Sequence, residues 1–321
     1  MDCSKLNDII KSSKNILITS HVNPDGDTLG SMCGLYSAIL DKFKKKCDMV
    51  AISKVPDVYS YLPHLSEVKA VDDVDKSREY DLVINVDVAS IERICDAQIL
   101  FEKAKFTVNV DHHKTNNGYA KLNYINPDAS STGEVLFNCF NNMGWNINLD
   151  TAICLYTAIL TDTGSFRFDN TKPSTFEAAS KLVEVGVNPS DIYKKVYESD
   201  SKTLVMFQAH CISKAKFLED NKIAYTLVYK KDMEKFSAGD DCMEGLTEKL
   251  RAIVTTRVAF VAKEMKSGGT KISMRSKFAD VAEICEVFGG GGHKFAAGCT
   301  IKAPVEEAAK KIINEIKKRE I

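Results

Sequence analysis

The 321-residue chain has one tryptophan, seven prolines and 17 glycines, too few and too scattered for a collagen-like or low-complexity protein. Its ten cysteines, at 3, 33, 47, 95, 139, 154, 211, 242, 285 and 299, include no closely spaced pair such as CxxC. No metal or disulfide framework is indicated, and they read as reduced, mostly buried thiols of a cytosolic protein. Nowhere do 18 uncharged apolar residues run together. The opening MDCSKLNDIIKSSKN lacks an apolar stretch of signal-peptide length, so neither a membrane span nor secretion is expected. No repeat of solenoid period is present. Nor is there a basic excess: 43 Lys and Arg stand against 44 Asp and Glu, a net charge of −1, and no bulk field is left to hold a long nucleic acid.

What is present is core-forming material, with 44% hydrophobic residues and a length sufficient for two domains. NILITSH (15–21), DMVAIS (48–53), DLVINVD (81–87) and FTVNVDH (106–112) are Val- and Ile-rich and read as strands. GSMCGLYSAILDKF (30–43) carries helical spacing at Met32, Leu35, Tyr36 and Ile39. Strands apolar on both faces, separated by helices, predict an α/β fold with a parallel sheet in residues 1–190. Further helices are expected at STGEVLFNCFNNMG, opened by Ser131 or Thr132 with Glu134 nearby, at DTAICLYTAILTDTG, and at PSTFEAASKLVEVG with Gly186 as its stop. Residues 191–215 read as a helical linker. Residues 216–321 form a smaller α/β domain, with strands in KIAYTLVYK, RVAFVAKEMKSGG and TKISMRSK, a Gly268-Gly269 hairpin and a closing amphipathic helix.

Divided at residue 190, the near-zero charge resolves into −6 and +5. Taken alone, this contrast is as readily a chance difference between two solvated surfaces.

The chemistry-bearing residues cluster where strands run out. ILITSH ends at His21 and is followed by Asp25 and Asp27; DLVINVD ends at Asp87; FTVNVD ends at Asp111, followed by His112 and His113. In an open α/β sheet, ligands collect beyond the carboxyl ends of the strands. Each residue has a bland reading, since an Asp after a strand usually caps a helix or forms a turn, and Asp25, Gly26 and Asp27 fit that role. It is the coincidence of HxxxDxD, a strand-terminal Asp, a strand-terminal DHH and a later TDTG (161–164) in one chain that points to divalent metal. Carboxylates and imidazoles suit Mn²⁺, Mg²⁺, Fe²⁺ or Zn²⁺, and there are more of them than one ion requires.

HVNPDGDTLGS, INVDVAS, VNVDHHKTN and LTDTGSFRF resemble the four metal-site motifs of the DHH phosphoesterase superfamily, and GGGGHKFAAG resembles the signature of its DHHA1 domain. The motifs span residues 21–298. The resemblance implies that His21, Asp25 and Asp87 hold one ion and Asp27, Asp87, His112 and Asp162 a second, with Asp87 bridging. Asp111 would orient the neighbouring histidine and His113 would face the substrate phosphate. It also implies two Mn²⁺ ions per chain, with Mg²⁺ or another divalent ion as substitutes, and water activated between them as the attacking group.

Four glycines usually mean only a flexible turn. Next to the DHHA1 resemblance, Gly290, Gly291, Gly292 and His293 become candidates for holding a phosphate through backbone N–H groups, and Arg275 in SMRSK for gripping it with a guanidinium. Nothing in their spacing separates Arg257, Lys263 and Lys277 from ordinary surface charge. A basic lobe facing an acidic one across a hinge would then suit a short RNA or small nucleotide.

Chains of this length with both domains resemble the bifunctional oligoribonuclease and 3′-phosphoadenosine 5′-phosphate phosphatase group. The expected function is hydrolysis of very short RNA or linear dinucleotides to mononucleotides in the cytoplasm, with 3′-phosphoadenosine 5′-phosphate as a further substrate. Three alternatives stand beside it. A cyclic-dinucleotide phosphodiesterase shares both domains. A family II inorganic pyrophosphatase shares the metal motifs, but GGGGHKFAAG argues against it. A non-catalytic nucleotide sensor would not need the complete ligand set. A RecJ-type exonuclease needs a further oligonucleotide-binding domain. Homodimers are common among similar proteins, and the sequence leaves the oligomeric state open.

Overall fold

The computed structural model describes residues 2–319 and divides into two units, Met1–Ser199 and Asp200–Ile321. Each has its own sheet and its own core. Among the described residues no helix is long and apolar enough to cross a membrane.

The first unit runs α1 (Ser4–Ser12), β1 (Ile16–Thr19), α2 (Gly26–Phe43), β2 (Asp48–Ala51), β3 (Val68–Ala70), β4 (Leu82–Val86), α3 (Gln98–Lys103), β5 (Phe106–Asp111), β6 (Leu122–Ile125), α4 (Thr132–Asn142), α5 (Leu149–Asp162), α6 (Pro173–Val185) and α7 (Pro189–Tyr197). Its six strands are all parallel, in the order β3-β2-β1-β4-β5-β6. Side chains alternate between two cores. Ile16, Ile18, Leu82, Ile84 and Val86 face α2, α4 and α5, while Leu17 and Val83 face Ile94, Leu100 and Phe101. Burial on both faces is why these strands read as continuous apolar runs.

In this strand order the chain turns outward in opposite directions from β1 and β4, and a crevice opens beyond their carboxyl ends. That crevice is where HVNPDGD and Asp87 sit. α2 starts a turn earlier than its apolar spacing indicates, because the Asp25 carboxylate caps it by accepting from the Thr28 N–H at 3.0 Å. Gly26, Gly30 and Gly34 recur every four residues along α2 and form the stripe that meets α5. A Cβ on Gly26 would lie 2.5 Å from the Thr161 side chain, and one on Gly30 2.5 Å from the Cys154 carbonyl oxygen. The glycines of this segment therefore serve helix packing.

The second unit runs α8 (Lys202–Ser213), β7 (Lys216–Leu218), β8 (Ile223–Val228), α9 (Lys230–Phe236), α10 (Leu246–Arg251), β9 (Val258–Glu264), β10 (Thr270–Ser276), α11 (Val281–Glu286), β11 (Gly291–His293), β12 (Ala296–Ile301) and α12 (Val305–Lys317). Its sheet has the order β11-β12-β10-β9-β8-β7 and is antiparallel except for β8 and β9. One face packs on α11 and α12, the other on α8 and α10. The Gly268-Gly269 hairpin joins β9 to β10, with both glycines at positive φ. Residues 191–215 are two helices, α7 within the first unit and α8 within the second.

One strand is present that the sequence did not signal, and one expectation is corrected. The stretch after the four glycines holds an interior strand, β12, whose Ala297, Cys299 and Ile301 point into the core. Its small residues hide the strand pattern: a Cβ on Gly298 would lie 3.0 Å from the Ile272 carbonyl oxygen of β10. The cysteines are not all reduced either. Cys3 and Cys139 form a disulfide across 136 residues, their Cα atoms 5.5 Å apart, because tertiary folding lays the start of α1 beside α4. The other eight lie outside this disulfide, and six of them are buried.

Candidate metal centre

Asp87 stands at the centre of the site. It follows β4 at φ 61°, a left-handed conformation that costs a non-glycine residue of order 1–3 kcal/mol and that recurs where function requires it. Its N–H donates to the Val110 carbonyl at 3.0 Å, which tucks the carboxylate between β1 and β5. The side chain is buried, and its two oxygens face different partners. Oδ2 accepts from Thr28 Oγ1 at 2.7 Å and lies 3.5 Å from His21 Nε2. Oδ1 accepts from Thr132 Oγ1 at 3.0 Å and lies 3.7 Å from His112 Nε2 and 3.6 Å from His113 Nδ1.

On the Oδ2 side, Thr28 Oγ1 is a node, 2.7 Å from His21 Nε2 and 3.0 Å from Asp25 Oδ1. His21 Nδ1 contacts the Val22 carbonyl at 2.7 Å, which leaves Nε2 for the crevice. On the Oδ1 side, His112 Nε2 stands 3.7 Å from Asp27 Oδ2 and 3.6 Å from Asp162 Oδ2. These separations are too long for hydrogen bonds. Asp27 is held by the N-terminus of α4, where the Thr132 and Gly133 N–H groups donate to it at 2.8 and 2.9 Å. Ser131 caps that helix by accepting from the Glu134 N–H. The buried Glu134 carboxylate accepts from the Ser130 N–H and hydroxyl and from Thr175 Oγ1. Asp162 ends α5, and Asn170 Nδ2 spans its carbonyl oxygen and that of Ser130.

The DHH segment divides its work. Asp111 Oδ1 accepts from the His112 backbone N–H at 2.8 Å and pairs with His113 Nδ1 at 2.7 Å, while Asn116 Nδ2 donates to Oδ2 at 2.5 Å. Asp111 thus orients the His113 ring and the His112 backbone. The His113 Nδ1 contact with Asp111 outweighs its partial burial and lifts the imidazole to about 9.

The electrostatics are those of crowded acid. Burial first, then Asp87, Asp162 and Asp25, push Asp27 well above the carboxylate range. Burial, with Asp87 and Asp25, takes Asp162 to about 6 against the opposing pull of His112. For Asp87 burial acts in the same direction, but the His21 hydrogen bond and the two other histidines outweigh it and keep the carboxyl low. A set of oxygen and imidazole donors with excess negative charge fits divalent cations of the hard-to-borderline kind. Among the described residues the atoms form three groupings within 4.8 Å: His21, Asp25 and Asp87; Asp27, His112 and Asp162; and Asp87, His112 and His113.

All six residues expected as ligands, together with Asp111 and His113, lie in this one crevice. Thr28, Thr132, Gly133, Asn116 and Asn170 were not singled out from the sequence. Only the Ser131-Thr132 helix start gave a signal there, and it read as a cap alone.

The remaining candidates are in the second unit. Arg275, Ala296 and His293 are register partners across β10, β12 and β11, so they form one row on the same face. Arg275 Nε donates to Glu248 Oε1 at 2.7 Å and Nη1 to the Met274 carbonyl at 2.9 Å. The glycine run has a packing requirement of its own. A Cβ on Gly290 would lie 2.3 Å from the Gly298 carbonyl oxygen, and one on Gly292 2.5 Å from that of Ala296. Around Gly291 the space is open, and it lies on the edge strand, where backbone groups are left unpaired by the sheet.

An Asp/His cluster at the switch point of a parallel sheet, followed by a second α/β unit with a glycine-rich edge, defines a phosphoester hydrolase of the DHH type. Residues 15–159 match the DHH family, N-terminal domain, and residues 220–319 match the DHHA1 domain. The chain belongs to the DHH/DHHA1 phosphoesterase family and is a phosphodiesterase/phosphatase hydrolase. It is 29% identical over 290 residues to the bifunctional oligoribonuclease and PAP phosphatase NrnA of Bacillus subtilis, covering 89% of each chain. A probable enzyme of the same name from Streptococcus mutans is also 29% identical over 289 residues, covering 90% of each. An exopolyphosphatase-related protein from Bacteroides fragilis superposes with a TM-score of 0.92 at 26% identity, covering 99% of this chain and 96% of that one.

Proposed function

We propose that the protein hydrolyses short oligoribonucleotides and linear dinucleotides to mononucleotides, and 3′-phosphoadenosine 5′-phosphate to AMP, using divalent cations, Mn²⁺ by preference. The observation that carries this reading is the two-sided environment of Asp87, one oxygen toward His21 and Asp25 and the other toward Asp27, His112 and Asp162. His21, Asp25 and Asp87 would hold one cation, and Asp27, Asp87, His112 and Asp162 the other. Such a pair supplies Lewis acidity toward phosphoryl oxygens and an acidified water. Around it, Thr132 and Gly133 aim Asp27, and Asn170 steadies the end of α5. His113, fixed through Nδ1 by Asp111, offers Nε2 to a phosphoryl oxygen of the substrate. Water adds to phosphorus, the ester oxygen leaves with a proton, and no side-chain nucleophile takes part. In the second unit, Arg275, His293 and the Gly290–Gly292 edge are the phosphate-holding groups of this reading. It places the enzyme in the cytoplasm, where RNA turnover leaves such fragments.

The test is a parallel Mn²⁺ assay on a pentanucleotide RNA, linear and cyclic dinucleotides, 3′-phosphoadenosine 5′-phosphate and pyrophosphate. Faster turnover of the linear RNA substrates than of pyrophosphate supports the proposal. Preference for pyrophosphate or for the cyclic dinucleotide overturns it.

A further inference from the structure

Among the described residues the second unit exposes three phenylalanine rings, Phe217 on β7 and two that rise from a pair of joined segments. Phe278, after β10, is 71% exposed, and Phe295, between β11 and β12, is 45% exposed. An exposed phenylalanine is ordinarily unremarked when single, but these two rise from segments tied to each other. Ser276 N donates to the Phe295 carbonyl at 3.0 Å, and Val281 N donates to the Lys294 carbonyl at 2.8 Å. The 276–281 turn is thereby laid along residues 294–295, and both rings belong to the sheet end that carries the Arg275 and His293 row.

Each ring also has a cation beside it. The Arg257 guanidinium lies 6.0 Å from the Phe278 centroid, and Lys294 Nζ lies 5.5 Å from that of Phe295. Lys277 Nζ donates to the carbonyls of Ile253 and Val254 at 2.7 and 3.3 Å, which fixes the neighbouring loop. Two acids of this region are engaged, Glu248 by accepting from Arg275 and Asp280 by capping α11, while Glu283 and Glu286 of α11 are exposed. A surface that alternates exposed aromatic faces with cations suits a polyanion with planar bases. An apolar protein partner would instead meet a row of charges at the centre of its contact.

We infer that Phe278 and Phe295 form a stacking platform for the bases of short single-stranded RNA, with Arg257 and Lys294 placed for the adjoining phosphates. The inference rests on the oligoribonuclease reading and adds the part of the substrate recognised. Stacking on a ring is tolerant of base identity, so the platform favours single strands over duplexes without selecting a sequence.

The experiment measures KM and kcat for a pentanucleotide RNA with Mn²⁺, and separately the fluorescence quenching of a 2-aminopurine trinucleotide bound in the presence of chelator. Phe278→Ala, Phe278→Leu and Phe278→Tyr are compared with the same three changes at Phe295. Both rings are exposed, so circular dichroism and melting temperature serve only to show that each variant is folded. Ala and Leu at either position are expected to raise KM about tenfold, equivalent to about 1.4 kcal/mol, and to weaken the quenching, while Tyr restores both. A KM within twofold of the parent for the Ala variants overturns the platform. So does a Leu variant that performs as well as Phe, since bulk apolarity would then suffice. A change in sedimentation with KM unaltered also overturns it and makes the surface a contact between copies. If the parent protein hydrolyses no RNA, the oligoribonuclease reading fails by itself. Quenching in the parent that is lost in the Ala variants still supports the platform, and no quenching in the parent rejects it.

Discussion

Gly30→Ala tests whether the closeness of α2 and α5 is what brings the carboxylates together. A Cβ at position 30 would meet the Cys154 carbonyl oxygen at 2.5 Å and the Ala158 Cβ and N at 3.0 Å. Backbone atoms have no rotamer to retreat into, so the helices must part by about 1 Å to reach ordinary van der Waals separation. Overpacking of this kind costs about 3 kcal/mol, and the gain in helix propensity from Gly to Ala returns about 1. The net loss is about 2 kcal/mol, or roughly 4–8 °C in melting temperature for a unit of this size. Asp27 lies three residues before Gly30 on α2, and Asp162 closes α5. A displacement of about 1 Å between them is expected to lower kcat about a hundredfold. Gly34→Ala is the graded control, because its Cβ would meet the Leu155 side-chain tip at 2.9 Å, which can turn aside. The assay is dinucleotide hydrolysis with Mn²⁺ beside a thermal melt. If Gly30→Ala matches the parent in both, or if Gly34→Ala is the worse of the two, the packing argument is wrong.

Three further outcomes follow from the same geometry. Asp87→Asn keeps a residue that tolerates positive φ but gives up the charge that His21, His112 and His113 face, so activity should fall at least about a hundredfold while the melting temperature in chelator drops by only a few degrees; activity within tenfold of the parent would refute its place at the centre of the site. In the second unit, burial pushes the Asp232 carboxyl up, but hydrogen bonds from His210 and Lys214 outweigh this and hold it below its usual 3.8. Its contribution is therefore fully present above pH 3.8 and is lost as pH falls through the lower folded value. The urea-midpoint gap between the parent and Asp232→Asn should shrink between pH 5 and about 3; a gap that grows on acidification refutes this. Alkylation in denaturant without reductant should label the eight cysteines outside the disulfide and spare Cys3 and Cys139. Labelling of all ten in freshly isolated protein would show that pair to be open.

Local chemistry marked much of the site in advance. A strand that must be apolar on both faces is legible as a Val- and Ile-rich run, and a polar residue at its end is legible as a departure from that run. His21, Asp87 and Asp111 were visible for this reason, and the spacing of Asp25 and Asp27 carried the rest of the motif. The glycine run was visible too, but its meaning was not. Gly290 and Gly292 are required by the close passage of β12, a strand that small residues concealed.

Strand pattern, helix starts and the identity of the acids and histidines all follow from interactions within a few residues, and a linear text holds them. Strand order does not, because it depends on which faces pack best across the whole sheet. That order places β1 beside β4 and opens the crevice between them. Three contacts exist only after that choice: the α4 N–H groups on Asp27, the Thr28 and Thr132 hydroxyls on Asp87, and the glycine stripe of α2 against α5. They join residues 45 to 135 positions apart, and a carboxylate's neighbours at that range are decided by packing.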